Sequence, residues 1–417
     1  MNAPRTAIVI GGGLIGCSCA WYLLKRGWHV TLVERDRIGS GASHGNCGFI
    51  CPSHALPLSG PGVVAKTLPQ VLKFDAALAI PPRFDLSLWK WLYRFTRECT
   101  IDRMMHAAVA RNALLASSMS LYRDFIASEC VECEWQDRGL LLVYKSARDF
   151  DHYAATADLL QREFSIQATP YPGESVRQLE PTLREGMAGG WHFPGDAHVR
   201  PDRLMSGLKT AIESRGADIR EHVEVSSFRI EAQRVTAVET STGAITAELV
   251  VLATGAEAPR FAKLLGCRIP IQPGKGYSLT MPPLQNPPRI PMIFEEHHVA
   301  VTPLDSAFRV GSTMEFTGYD RTLKRRRLAL LRRSAEEHLA EPLPATVEEQ
   351  WTGWRPMVYD GLPCIDRAPG AKNVIVAAGN GMIGLATAPA TGKLVAELAS
   401  NDEPHLDPAP YSLARFS

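Results

Sequence analysis

The start of the chain restricts its fold more than any other part. Thr6 to Leu24 are 19 consecutive uncharged residues, closed off by Arg5 and Lys25. Length alone admits a bilayer span or the apolar region of a signal peptide. Against both stands Gly11-Gly12-Gly13 in the middle of the run, which weakens a spanning helix. His29 to Val33, just beyond, reads as a strand and not as a membrane exit. A buried folding unit accounts for every part. Ala7 to Ile10 is a short apolar run suited to a buried strand. Gly11, Gly13 and Gly16 give G-x-G-x-x-G, Leu14 to Arg26 reads as a helix, and Gly27 is placed to end it. Val30 to Val33 is a second strand, closing at Glu34 with Arg35 beside it.

In such a β-α-β unit the first glycine permits the tight turn and the second lets the backbone approach a pyrophosphate. The third lets helix and strand pack closely. The helix N-terminus at Leu14 and Ile15 offers N–H groups and a positive dipole end to phosphates. Glu34, 18 residues past Gly16, is placed to accept hydrogen bonds from ribose hydroxyls, and its charge disfavours a 2′-phosphate. The expectation is a dinucleotide site. A glycine turn packed against a helix without a ligand is the plainer alternative.

The turn does not separate NAD from FAD, but three later segments bear on the choice. Gly39 to Gly48 is small and glycine-rich, and Gly41, Ala42, Ser43, Asn46, Cys47 and Gly48 form a bare backbone able to lie against a large flat ligand. Glu248 to Ala253 is an apolar strand running into Ala253-Thr254-Gly255 and then a helix-like stretch. Val374 to Ala378 is another, leading into Gly379-Asn380-Gly381-Met382-Ile383-Gly384. The chain therefore returns to the nucleotide fold twice, and the C-terminal return disfavours an NAD dehydrogenase.

Composition excludes other classes. Of 417 residues, 45% are hydrophobic and 21% charged, which fits a globular protein of two or three domains. Lys+Arg total 45 against Asp+Glu 44, so no excess charge points to nucleic acid. Nine cysteines, an odd number, argue against a disulfide framework, and none of the histidines shows metal-ligand spacing, so no metal is expected. Six of the ten residues from Lys324 to Arg333 are Lys or Arg, but the leucines among them predict a solvated helix packed on one side. From Leu86 to Phe95 the chain carries Trp89, Trp91, Tyr93 and Phe95 with Lys90 and Arg94. Core packing is the first reading of that stretch, and contact with a membrane surface the second.

The order of these segments resembles the FAD-dependent D-amino acid oxidase (DAO) superfamily, and within it the bacterial D-amino acid dehydrogenases most of all. The matching strings run through nearly the whole chain: Lys275 to Thr280, Arg309-Val310-Gly311, Gly318-Tyr319, Trp351 to Met357, Asp360 to Pro363 and Leu413 to Ser417. The resemblance implies an α/β protein, a Rossmann-type FAD-binding domain interleaved with an α+β substrate-binding domain (glutathione-reductase-like). The FAD domain would take 1–80, 190–262 and 352–417, and the substrate domain 81–189 and 263–351. Pro81-Pro82 and the proline-rich Pro270 to Pro288 are expected to be crossings between layers. FAD is expected to be non-covalent, although His44 and Cys47 are available for a bond. Val225, in a strand-like Glu221 to Ser226, would set its backbone on the adenine, and Gly381, Met382, Ile383 and Gly384 would bring a helix N-terminus to the flavin.

The resemblance also implies oxidation of an amino acid by hydride transfer to flavin N5, with electrons passing to a quinone, another carrier or O2. Arg355 is then the bidentate partner of a substrate carboxylate; its other reading is a structural arginine stacked between Trp351 and Trp354. Tyr277 is a site tyrosine that bonds the carboxylate or covers the site, or else a core tyrosine. Departures from the dehydrogenase pattern occur at Pro52-Ser53-His54, where those enzymes have Pro-Gly-Tyr, at Asn380, where they have histidine, and at Pro389. Neutral His54 could accept the amine proton. His298 faces the pocket or the surface, and Arg200 is a second cation or a surface ion pair. Pro194 to Pro201 is closer to the glycine and sarcosine oxidase branches. The expected substrate is a D-amino acid or cyclic imino acid of the D-proline or D-hydroxyproline type. A glycine or sarcosine oxidase and a binding protein without chemistry are the alternatives. The expected location is the cytoplasm, with peripheral contact on the inner membrane as the variant.

Overall fold

The structure, a computed structural model, describes residues 5–65, 67 and 76–417. The uncharged run is a strand, a turn and a helix: Thr6–Ile10, the glycines, and Leu14–Leu24. Among the described residues no helix is long and apolar enough to cross a membrane. Thr6–Ile10 lies inside a six-stranded sheet ordered Cys364–Ala368, Ala371–Ala378, Leu249–Leu252, Thr6–Ile10, His29–Val33, Asp218–Arg220. All pairs are parallel except the outermost, Cys364–Ala368 with Ala371–Ala378. Leu249–Leu252 is apolar along its whole length, and Ala371–Ala378 from Val374 onward, because both faces of the sheet are covered there.

One cover is the pair of helices Leu14–Leu24 and Gly384–Ser400. They approach so closely that a Cβ on Gly392 would lie 2.5 Å from the Ser18 carbonyl carbon. Pro389 sits inside the second helix and cannot donate to the Leu385 carbonyl four residues back. The Tyr122 hydroxyl, from the long helix Ile101–Glu129, donates to that carbonyl at 2.7 Å. Ser118 on the same helix accepts from Ala390 N–H at 3.1 Å. The departure at Pro389 is thus balanced by a neighbouring helix.

A second, nine-stranded sheet is built around the antiparallel strands Ile271–Met281, Phe308–Glu315 and Glu349–Val358. Residues of Ile271–Met281 alternate in direction: Ser278 and Thr280 bond toward the nucleotide layer, while Tyr277, Leu279 and Met281 pack with Leu328 and Leu331 of the helix Arg325–His338. The basic stretch is therefore a helix packed on one side, as its leucines predict. A small antiparallel meander, Val225–Glu231, Arg234–Thr240 and Gly243–Ile245, leans on the first sheet.

Several expectations need correction. Pro270 to Pro288 is not a crossing throughout, since Ile271–Met281 is a fully buried strand. Pro273 is tolerated there because it faces Pro356 across the ladder, a pair in which neither residue has an N–H to give. The lines at 189/190 and 351/352 fall inside Gly189–Phe193 and Glu349–Val358, whose pairing assigns each strand whole to the large sheet. The strand expected over Glu221 to Ser226 begins only at Val225, because His222 adopts a left-handed conformation. The stretch after Gly255 is a short 3-10 helix, Gly255–Phe261, with Pro259 inside. In the helix Leu86–Glu98 core packing holds for Leu88 and Trp91, whereas Leu86, Trp89 and Tyr93 are exposed.

Gly16 shows how tightly the first unit is drawn together: a Cβ there would lie 1.8 Å from the Gly11 carbonyl oxygen. Gly16→Ala is expected to destabilise the protein by about 3 kcal/mol through forced backbone displacement, measured as a lower urea midpoint with unchanged m-value.

Candidate active site

A single cavity of about 1440 Å³ lies between the two sheets, larger than the roughly 300–1,000 Å³ of an ordinary small-molecule site. All the residues expected to hold the cofactor line it except Gly16, which sits beneath the turn. At one end Gly11 has φ +107, and a Cβ there would lie 2.5 Å from the Ala253 carbonyl oxygen. Glu34 accepts from Gly12 N–H at 2.7 Å and from Asp36 N–H at 2.9 Å, so the acid also holds the glycine turn. The helix Leu14–Leu24 has no side-chain cap at Gly13, and Ser43 Oγ accepts from Leu14 N–H at 3.0 Å. Arg35 pairs with Glu257 at 2.5 Å across the cavity rim. Three lining residues, Thr254, Thr313 and Asn380, carry buried side-chain oxygens without a partner. Such orphaned groups in a cavity wall are what a polar ligand satisfies.

The glycine-rich loop beyond is fixed from behind. Arg309 donates to the carbonyls of His44 (3.3 Å) and Asn46 (2.9 Å). Ser278 donates to Gly45 O at 2.7 Å, and Thr302 to Cys47 O at 2.6 Å. With four successive carbonyls turned into the large sheet, the other face of the loop is left to the cavity. The His44 ring is held by Glu349 at 2.6 Å, which raises its pKa. The Cys47 thiol packs on Gly311, where a Cβ would come within 2.7 Å of its sulfur. Burial pushes that thiol's pKa up, against the nearby Arg355 and Arg309, so it stays a poor nucleophile.

At the far end stands Arg355, enclosed by protein but open to the cavity. Its guanidinium lies over Gly276, where a Cβ would be 2.3 Å from Nη1. It donates to Thr313 O at 2.8 Å. Among the described residues no carboxylate lies within ion-pair distance of it, and burial lowers its pKa. The stacking alternative does not describe it, since Trp354 stacks with Arg321 and Trp351 lies over Gly45 and Gly353. An enclosed guanidinium without an anion is a receptor for one.

Of the two readings of Tyr277, its hydrogen bond favours the core tyrosine, although the residue also lines the cavity. Its ring points away from the nucleotide layer, and its hydroxyl donates to Glu315 at 2.7 Å. Glu315 also takes Arg327 at 2.7 Å and Lys324 at 3.1 Å, so this tyrosine belongs to a buried ion network. The alternation of an 11-residue strand decides this, and a matching string cannot reveal which way it falls. His298 stands at the rim with its Nδ1 3.5 Å from Glu295, which raises its pKa. Arg200 is occupied by Asp202 and Glu134, outside the cavity wall.

His54 lines the cavity on the 3-10 turn Pro52–Ala55. Arg111 holds that turn, donating to the carbonyls of His54 (2.8 Å), Ala55 (3.0 Å) and Gly361 (3.0 Å). Burial and the Arg111 charge press the His54 pKa down to about 4, so the imidazole is neutral. Arg111, Arg309, Ser278 and Thr302 were not singled out by sequence reasoning. Arg309 and Ser278 lay inside matching strings, but the roles of all four depend on contacts far away in sequence.

Comparison with known proteins agrees with this geometry. The profile of the family described as FAD dependent oxidoreductase (DAO) matches residues 6–398. A D-amino acid dehydrogenase of Paramagnetospirillum magneticum is 31% identical over 402 residues, covering 94% of each chain. One from Xanthobacter autotrophicus is 31% identical over 419 residues, covering 98% of this chain and 99% of that one. Among solved structures, glycine oxidase from Geobacillus kaustophilus superposes with a TM-score of 0.77 at 23% identity, covering 99% of each chain. L-proline dehydrogenase from P. horikoshii gives 0.74 at 22%, covering 100% of this chain and 98% of that one. The residues present fit FAD: a bare glycine turn, an acid for the ribose, and a pinned loop beside unpartnered hydroxyls.

Removing the clamp should loosen the loop. Arg309→Met is expected to speed amide exchange across His44 to Gly48 and to cost roughly 3 kcal/mol of stability, as loss of a buried charge-assisted network does. Native-state hydrogen exchange measures both.

Proposed function

This chain belongs to the FAD dependent oxidoreductase (DAO) family, and from that premise we propose that it oxidises the carbon–nitrogen bond of a D-amino acid or cyclic imino acid, of which D-proline and D-hydroxyproline are the types favoured. The observation that carries the reading is Arg355, an enclosed guanidinium with no carboxylate partner among the described residues, facing the same cavity as the nucleotide turn. Bound FAD supplies the redox chemistry, taking a hydride from the carbon that bears nitrogen. The chain's own residues orient that carbon. Arg355 grips the substrate carboxylate through two parallel N–H donors. His54, neutral at working pH and lining the same cavity, receives the amine's N–H. The large sheet and the helix Leu86–Glu98 wall the cavity. The burial of Cys47 and the capture of His44 by Glu349 favour a non-covalent cofactor.

Electrons then leave to a quinone or another carrier. Trp89, Trp91, Leu92 and Phe95 line the cavity from the helix Leu86–Glu98. The same segment exposes Phe84, Leu86, Trp89 and Tyr93 outward beside Lys90. An apolar face edged by cations suits peripheral contact with an anionic bilayer.

Anaerobic mixing with D-amino acids, cyclic imino acids and N-methyl amino acids should bleach the yellow flavin with the first two groups. A flavin that stays yellow with every member sinks the reading, and rapid peroxide formation with glycine or sarcosine replaces it by an oxidase. Arg355→Met should raise KM about 100-fold, the loss of one buried charge-assisted pair, while the flavin spectrum persists. For the membrane side, the protein should sediment with anionic vesicles. A Phe84→Ser/Leu86→Ser double variant should remain in the supernatant at unchanged turnover with a soluble dye.

A further inference from the structure

Behind His54 lies a polar chain that the binding of cofactor and carboxylate does not use. Asp196, 2% exposed, occupies the turn between the strands Gly189–Phe193 and Ala197–His198. Its Oδ1 accepts from Ser53 N–H at 3.0 Å, and its Oδ2 accepts from Ser53 Oγ at 2.5 Å. Ser53 Oγ is in turn 3.1 Å from His54 Nδ1. A serine hydroxyl has one hydrogen, and here it goes to the carboxylate. Ser53 can therefore only accept from His54, which requires the proton on Nδ1. Nε2 is left bare, and among the described residues it has no hydrogen-bond partner.

Resting on the reading of His54 as the residue that meets the substrate nitrogen, we propose that Asp196, acting through Ser53, holds His54 in the Nδ1–H tautomer and thereby makes Nε2 the acceptor for the substrate's N–H. Asp196 and Ser53 are positioning residues; His54 touches the substrate. As the amine gives up its proton, the N–H bond breaks and an Nε2–H bond forms. The electron pair remains on nitrogen for the new carbon–nitrogen double bond. The imidazolium so formed keeps its Nδ1–H on Ser53, with the Asp196 charge behind it.

The chain is switchable. Burial raises the Asp196 pKa to about 7, against the two Ser53 hydrogen bonds that lower it. Among the described residues no cation pairs with it: the Cys51 thiol and Tyr153 hydroxyl feel the Asp196 charge, Arg111 acts on Cys51 and His54, and Glu295 acts on His54 and Tyr153. A protonated Asp196 would donate to Ser53 Oγ. The Ser53 hydrogen would then turn to His54 Nδ1, and the ring proton would move to Nε2, where it blocks the acceptor. Flavin reduction should accordingly rise as pH climbs through about 7.

Asp196→Asn freezes the blocked arrangement. Ser53 N–H demands an acceptor, so the amide oxygen must take the Oδ1 place and the NH2 group must face Ser53 Oγ. The tautomer is read directly by nitrogen NMR of protein labelled with 15N-histidine, with His54→Gln assigning the signal. Above pH 8 the wild type should carry the proton on Nδ1 and Asp196→Asn on Nε2, while Ser53→Ala should show a mixture. Anaerobic flavin reduction should fall about 100-fold in Asp196→Asn, the scale of a lost general base, and lose its rise near pH 7. His54→Gln should be equally slow, and adding Asp196→Asn to it should slow it no further. The same tautomer in wild type and Asp196→Asn overturns the proposal, as does an additive loss in the double variant. A tautomer switch in a protein that no amino acid reduces would overturn the substrate reading and leave the Asp196 hold standing.

Discussion

The four carbonyls of His44 to Cys47 are taken from behind by Arg309, Ser278 and Thr302, and the rest of the site depends on that capture. It joins the two sheets, because the loop belongs to the nucleotide layer and its three captors to the large sheet. It also sets the polarity of the cavity wall, since a peptide held by its carbonyl has its N–H turned the other way. Arg309 is nearly fully buried, with its nearest carboxylates, Asp202 and Glu349, at 3.9 and 4.0 Å. A guanidinium so placed is stabilised chiefly by peptide oxygens, which gives it a geometric role without cancelling its charge.

Burial lowers the pKa of three enclosed arginines, Arg111, Arg309 and Arg355, of which Arg355 lines the cavity. Arg111 donates to three carbonyls, and Arg309 to two carbonyls and the Thr280 hydroxyl. Arg355 has one. The difference divides structural cations from a receiving one more sharply than residue type does. His54 stays neutral chiefly because it is buried, and next because the Arg111 charge faces it.

The nucleotide half of the site was legible from the chain because its elements are local. Gly11, Gly13, Gly16 and Glu34 act within one β-α-β unit, where spacing and period decide structure. Arg355 was singled out through a matching string; it lines the cavity and donates to a single carbonyl. Tyr277 came from the same kind of match and points the other way, because facing in a strand turns on a register of one residue. Ser53 and Asp196 are 143 residues apart and meet only because Phe49–Ile50 pairs with Ala197–His198. No pattern along the chain announces such a meeting. The proline at 389 likewise looked like a breach of the helix until the Tyr122 hydroxyl was found at the orphaned carbonyl.

The order of strands in the nucleotide sheet has a consequence for how the protein comes into being. Thr6–Ile10 pairs with His29–Val33 almost at once, but its other neighbour is Leu249–Leu252, and its covering helix Leu14–Leu24 is itself packed against Gly384–Ser400. A ribosome therefore releases the most apolar segment of the chain long before its shelter exists. Contacts of such sequence separation make folding slow, and the exposed strand edge invites association in the meantime. The cofactor cradle is synthesised well before the strand and the helix that complete it, so yield during production should be governed by the lifetime of that unsheltered strand rather than by the stability of the finished molecule.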